Sequence, residues 1–480
     1  MKTSEQVPKV PYDLNQKLLT WKSLALMAFM TVWGFGNVIN GYGYFHGIQV
    51  GFSWILVFAL YFVPYSLMVG ELGSTFKTKG GGVSSWIDAT FNKKLAYYAG
   101  WTYWVVHMPY IAQKPLNTVI AASWAIWGSP KATEEFKIEY VQIVCILIFL
   151  VVVFLTLRGV RVLKSITSLA GFAGLVMSFL FILMAVSAPI FLGDKVQINH
   201  IPLNSNSLIP TFNFEYITSL SVLIFAVGGC EKISPYVNKT KDPGKGFPRG
   251  IIFMTSMVVL AALLGTFALA LMFDPTNPDK DFIANGAYKA FRILGDWYGV
   301  GNLFVVIYAL SILISQVAVM ILSIDAPLRM LIESSDSQFI PKSLYKQNKH
   351  GSYVNGVYMV TVIVLILLII PTFGIEGVQD MVKWLIKLNS VCMPIRYLWV
   401  FLAYWGLKKM VAKERAEYTF TKSTVLGKLM GGWCFFITAA CCLLGMYSDD
   451  TFKLVMNIVT PIVLVLLGLI LPQIARRQNK

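Results

Sequence analysis

Charged side chains are scarce in this chain. Asp, Glu, Lys and Arg together make up 13% of its 480 residues, against 56% hydrophobic types. So few charges cannot cover a water-facing surface, and an ordinary soluble domain is excluded. The six cysteines, Cys145, Cys230, Cys392, Cys434, Cys441 and Cys442, all fall inside apolar runs without metal-ligand spacing and read as small packing residues. No Ser/His/Asp elbow, phosphate-cradling glycine loop, paired catalytic carboxylates or metal cluster occurs, so enzyme chemistry has no residues to rest on and no cofactor is expected. No basic stretch interleaved with aromatics suggests nucleic acid. No loop is long enough to fold as a separate domain.

What is present is a succession of twelve apolar runs, at about 20–48, 51–77, 93–127, 138–157, 162–191, 213–236, 246–273, 300–331, 354–372, 380–407, 427–447 and 452–473. Each is long enough to cross a hydrocarbon core as a helix, and β-barrel alternation is absent. The expected protein is all-α, with a retained leader at 1–19, one transmembrane transporter domain at 20–473 and a short tail at 474–480. Most of the 40 Lys and Arg fall in the two termini and in the loops at 77–94, 158–164, 232–249, 329–353 and 408–428. By the positive-inside rule both termini are cytoplasmic, in the cell (inner) membrane, and topology accounts for the +16 net charge. On that side the Asn238-Lys-Thr240 glycosylation match carries no meaning.

The first run is odd at its centre, Thr31-Val-Trp-Gly-Phe-Gly-Asn37, because each helical glycine costs about 1 kcal/mol relative to alanine. The glycines either allow close helix packing or mark an interrupted helix. The sixth run repeats the feature in Phe225-Ala-Val-Gly-Gly-Cys-Glu231. Matching breaks in the first helices of two five-helix sets point to a 5+5 inverted repeat with helices 11 and 12 outside it, and to a substrate site at the breaks. Half-helix amino termini favour anions and half-helix carboxyl termini favour cations, so a zwitterion such as an amino acid fits both. The substrate-binding candidates are therefore Val32, Trp33, Gly34, Phe35, Gly36 and Asn37, with Phe225, Ala226, Val227, Gly228 and Gly229.

Polar residues inside the other runs extend the list. Tyr103, His107, Tyr110 and Lys114 recur at helical spacing in the third run, and an ionisable residue in the membrane is functional by default. Lys114 supplies a fixed charge to an anionic substrate group, titrates during transport, or pairs with a carboxylate elsewhere. His107 is a pocket residue or a hydrogen-bonded packer. Ser311 and Ser315 in the eighth run line a cavity or bond backward to their own helix, while Asp325 and Arg329, one turn apart, form an intrahelical pair or take part in coupling. In the tenth run, Lys383 snorkels to the interface and the deeper Lys387 adds positive potential to an outer vestibule. Glu71 and Glu231 are assigned to contacts that hold the cytoplasmic side shut.

Four stretches carry a resemblance: Tyr61-Phe-Val-Pro64 with Gly70-Glu-Leu-Gly73; Gly80-Gly-Gly-Val-Ser-Ser-Trp86; Gly228-Gly-Cys-Glu231 with Val237-Asn-Lys-Thr-Lys-Asp-Pro-Gly-Lys-Gly-Phe-Pro248; and Ala326-Pro-Leu-Arg329 with Ile340-Pro-Lys-Ser-Leu-Tyr-Lys-Gln-Asn-Lys-His-Gly351. In this order, over residues 18–407, the chain resembles the amino acid-polyamine-organocation superfamily and its glutamate/GABA antiporter-like branch. The resemblance implies alternating access with amino acids or their amines as substrates. Lys239 stands where that family often has an acidic residue, Lys114 belongs to none of its motifs, and the short tail leaves no carboxyl-terminal plug. The expected function is amino acid transport, preferably exchange. Proton-coupled uptake through Lys114 or Asp325 is one alternative, and a non-transporting substrate sensor is another.

Overall fold

The computed structural model describes residues 19–80, 82–193, 196, 208–274, 279, 281–335, 338–369, 377–410 and 416–478. Most of the expected leader, residue 81 of the glycine run and the last two residues of the tail lie outside the described residues. No strand occurs among them, apart from two isolated bridges.

Among the described residues, ten helical segments are long and apolar enough to cross a membrane: Trp21–Tyr44, Gly47–Thr75, Ile138–Thr156, Ile166–Leu192, Phe214–Lys239, Pro243–Ala270, Leu303–Glu333, Asp380–Leu407, Thr424–Gly445 and Thr451–Gln478. Val354–Ile369 is a shorter apolar helix. The remaining expected crossing is built from Lys93–Val105 and His107–Trp127, joined at Val106. It is long enough, but buried Gln113 and Lys114 and the adjoining Asn117 dilute its apolar character. The twelve segments are called spans one to twelve below, the pair Lys93–Val105 and His107–Trp127 being span three and Val354–Ile369 span nine.

Composition along each helix decides who meets lipid. In span four, Ile143, Leu147, Val151 and Phe154 are exposed at i, i+4, i+8 and i+11, a lipid-facing stripe. Only 33% of the most apolar window is buried in spans four, five, eleven and twelve, against 83% in span six. Spans three and eight pack on each other over their length, as do spans two and seven. Span twelve is fastened by Tyr97, which donates to the Gly468 carbonyl (2.6 Å), and by the Trp101 indole, which donates to Leu464 (3.1 Å).

Span one is broken. Helix Trp21–Val32 ends, Trp33 and Gly34 are extended (φ −125°, ψ 140° and φ −146°, ψ 155°), and a second helix runs over Phe35–Tyr44. Span six is broken at the corresponding place: Phe214–Ala226 gives way at Val227–Gly229 to a tightened 3₁₀ segment over Cys230–Lys239. The breaks are narrower than the sequence suggests. Gly36 and Asn37 already belong to the second half-helix, and Phe225 and Ala226 to the first half of span six. The two broken spans are also tied where span one begins, since Leu19 donates to the Lys239 carbonyl (3.2 Å) and Lys241 donates back to Leu19 (2.8 Å).

The glycines at the breaks differ in kind. A β-carbon on Gly34 or Gly36 would meet nothing within 4 Å, so close helix packing is not what these two permit. Gly229 has φ +115°, which an L side chain rarely adopts, and its β-carbon would press on the Thr31 carbonyl at 3.2 Å. Gly229→Ala is accordingly expected to lower the melting temperature in detergent by the equivalent of about 1–3 kcal/mol. Gly36→Ala, inside a helix with open space before it, is expected to leave that temperature unchanged or raise it. Equal destabilisation by both substitutions would contradict this account.

Candidate functional site

A cavity of about 220 Å³ lies against both breaks. That is below the ~300 Å³ at which pockets for drug-sized ligands begin. Its wall includes Val32, Trp33, Gly34, Phe35, Gly36 and Asn37 from span one, and Phe225 and Gly228 from span six. Tyr110 and Lys114 reach it from span three, and Ser311 and Ser315 from span eight. Gly34 and Gly36 are exposed to this space although Trp33 and Phe35 on either side are buried, so the backbone itself forms the surface. The N–H groups of Phe35 and Gly36 open a helix and have no intrahelical acceptor. That end of the cavity suits an anion.

Aromatic packing holds the second half-helix in place. The Phe35 ring lies 4.4 Å from Phe181 of span five, 5.6 Å from Phe291 and 6.1 Å from Tyr308 of span eight. Phe291 belongs to the helix Phe282–Trp297 between spans seven and eight, which supplies Ile283, Ala284 and Ala287 to the cavity wall. That helix is pinned through Asn285, whose Oδ1 accepts from the Trp124 indole (2.8 Å), and through Arg292, which donates to the Gly128 carbonyl (2.9 Å).

Three cations reach the wall. Lys114 Nζ sits 4.0 Å above the Tyr110 ring. Lys232 Nζ lies 5.3 Å from the centre of the same ring and donates to Ser323 Oγ (2.7 Å). Among the described residues neither lysine has an ion-pair partner. Arg396 of span ten is the third, and its Nε lies 3.2 Å from Glu231 Oε1 without an aligned N–H.

Behind that arginine is a closed polar cluster. Tyr103 donates to Glu231 Oε1 (2.7 Å), Tyr65 donates to Glu231 Oε2, and Arg396 Nη2 donates to the Tyr397 hydroxyl (3.3 Å). His107 Nδ1 faces the Tyr103 carbonyl at 2.7 Å and must carry a proton to bond it. Its Nε2 then accepts from Arg396, which fixes the neutral Nδ1–H tautomer. Gly228 packs directly against Tyr397, where any side chain would collide.

The expected residues thus separate into groups. Val32 to Asn37, Phe225, Gly228, Tyr110, Lys114 and Ser315 line the cavity, whereas Ala226, Val227, Gly229 and His107 do not. The expected single stripe serves two places: Tyr103 and His107 meet the Glu231–Arg396 cluster, while Tyr110 and Lys114, further along the helix His107–Trp127, line the cavity. Glu231, assigned to the cytoplasmic contacts, is fully buried against Arg396, where two tyrosine hydroxyls donate to it and the guanidinium pairs its charge. Ser315 bonds back to the Ser311 carbonyl (2.8 Å) while lining the cavity. Lys387 does not reach the wall: it donates to the Thr218 carbonyl at 2.9 Å.

Glu71 accepts from Lys408 Nζ (2.5 Å), Tyr404 (2.8 Å) and the Phe420 N–H (3.0 Å), far from the cavity wall. The neighbouring Ser74 accepts from the Tyr418 N–H (3.1 Å). The segment leading into span eleven is thereby sewn to span two. Asp325 and Arg329 pair at 2.7 Å across one turn, and Arg329 also reaches Glu333 (3.1 Å) and the Gly351 carbonyl (2.9 Å). The sequence reading missed Arg396 and Lys232. Arg396 follows Met393-Pro394, and Lys232 adjoins a basic loop, where its charge looked like a topology signal.

An amino acid permease family model matches residues 19–474. The aspartate/glutamate permease AcaP of Lactococcus lactis subsp. cremoris (strain MG1363) is 46% identical over 476 residues, covering 97% of each chain. The probable agmatine/putrescine antiporter AguD of Lactococcus lactis subsp. lactis (strain IL1403) is 26% identical, covering 75% of this chain and 73% of its own. A glutamate/gamma-aminobutyrate antiporter of the same organism is 24% identical, covering 78% and 72%.

Removing one partner of a buried ion pair strands the other charge. Arg396→Met is therefore expected to destabilise the protein by about 3–5 kcal/mol, and Glu231→Gln added to it to restore most of that loss. Thermal unfolding in detergent measures both. Additive losses in the double variant would show that the two side chains do not act as a pair.

Proposed function

The chain belongs to the amino acid permease family, and from that premise we propose that it moves acidic amino acids across the cell membrane by alternating access, exchanging one for another. It works as a single membrane domain with both termini cytoplasmic, an orientation that rests on the distribution of Lys and Arg. The observation that carries the substrate class is the charge of the cavity: Lys114, Lys232 and Arg396 reach the wall and, among the described residues, Glu231 is the one carboxylate joined to them. An excess of two positive charges suits a ligand with two carboxylates and one ammonium, and repels a diamine. The printed name of the 46% identical permease, aspartate/glutamate, agrees with that reading.

The ligand's α-carboxylate meets the free N–H groups of Phe35 and Gly36, and its side-chain carboxylate meets Lys114 and Lys232, the two lysines beside Tyr110. An empty carrier has to close around two lysines without carboxylate partners, and uncompensated charge in a membrane interior is costly. A loaded carrier closes around a site whose positive charge is reduced by one and whose lysines have a carboxylate beside them. Exchange follows from that difference.

Labelled glutamate uptake into proteoliposomes is expected to be fast when the lumen holds unlabelled aspartate or glutamate and slow when it is empty. Equal uptake into empty vesicles would overturn the exchange mode. Lys114→Met is expected to raise KM for glutamate by about 10- to 100-fold, the worth of one charge-assisted hydrogen bond, with no comparable change in melting temperature. An unchanged KM removes Lys114 from the site.

A further inference from the structure

We infer that Asn37 is the residue that reads the substrate's ammonium group, and that it does so as a bridge between the two broken helices. The inference rests on the site reading above and goes beyond it. Two helix carboxyl termini converge on the cavity, ending at Val32 and Ala226, and their last carbonyls are where a cation would be expected to bind directly. Those carbonyls are not free in the simple sense. Asn37 Nδ2 donates to the Val32 carbonyl at 3.2 Å and to the Ala226 carbonyl at 3.1 Å.

Chemistry fixes which end of the amide faces them. Both partners are acceptors, so only the NH₂ end can lie there. Both of its hydrogens are used, one on each helix end. The Oδ1 atom is left on a side chain that lines the cavity, and among the described residues it accepts no hydrogen bond. Two carbonyl dipoles donating electron density to one amide make its oxygen a stronger acceptor, because hydrogen bonds in series polarise each other. The negative ends of two half-helices are thus gathered onto Oδ1.

The placement completes the ligand's frame. Asn37 lies two residues from Phe35 and one from Gly36, whose N–H groups take the carboxylate at the opening of the same half-helix. An α-amino acid carries its ammonium and carboxylate on one carbon, so adjacent donor and acceptor sites on one turn match it. The backbone N–H of Asn37 is already spent on the Gly34 carbonyl (2.9 Å), which leaves its side chain as the polar group it offers.

The test compares glutamate with glutarate, the same diacid without the amino group, as competitors of labelled substrate in membrane vesicles containing the full chain. The parent is expected to prefer glutamate. Asn37→Ala is expected to weaken glutamate by about 10-fold or more while leaving glutarate within about twofold, so that the preference disappears. Asn37→Asp keeps an acceptor oxygen but loses both donated bonds; it is expected to melt at a lower temperature and still prefer glutamate. An equal loss of both ligands in Asn37→Ala, no loss of either, or a loss of preference in Asn37→Asp as complete as in Asn37→Ala would overturn the inference. If the parent takes neither diacid, the acidic reading has failed separately. The comparison is then made with the amino acid that does exchange and its deaminated acid, with the same outcomes deciding Asn37.

Discussion

A peptide group in hydrocarbon has no water to turn to, and leaving one unpaired costs several kcal/mol. Two helices of this protein nevertheless stop and restart in mid-membrane, at Trp33–Gly34 and at Val227–Gly229. The remaining features of the site answer the polar groups those breaks release. Asn37 closes the carbonyl ends, the cavity takes the N–H ends, and span eight and the helix Phe282–Trp297 wall the cavity off. Burial follows the same logic: the broken spans are central, while the unbroken, uniformly apolar spans four, eleven and twelve face lipid.

Charge is handled by two opposite devices within one helix turn of span six. Glu231 is compensated completely, by Arg396, Tyr65 and Tyr103, and makes a stiff anchor between spans two, three, six and ten. Lys232, the next residue, is given only a hydroxyl and the face of a ring. A fully satisfied cluster specifies one arrangement and resists rearrangement. A cation left with weak partners retains its affinity for an anion. The contrast between neighbours separates scaffold from site.

The sequence showed the breaks because glycine pairs recur at matching places in the first helices of two five-helix sets, and it showed Tyr110 and Lys114 because a lysine mid-run stands out. It placed the breaks too broadly: nothing local distinguishes Gly34, at the break, from Gly36, the second residue of a helix. It could not show that Gly228 makes room for Tyr397, a contact between residues 169 positions apart, or that Asn37 reaches across to Ala226. Arg396 and Lys232 were hidden for different reasons. Lys232 sits near the basic end of its run, where a lysine is expected for topology alone; Arg396 lies in the middle of its run, and nothing local marks its pairing with Glu231, 165 positions away.

The seam at Glu71 carries a mechanical meaning. Lys408 and Tyr404 close span ten, and Phe420 and Tyr418 precede span eleven, yet all four converge on two residues of span two. The carboxylate works as a rivet through three members, which ties spans two, ten and eleven into one plate at that end. The breaks at Trp33–Gly34 and Val227–Gly229 lie outside that plate, which stands beside them as a fixed frame.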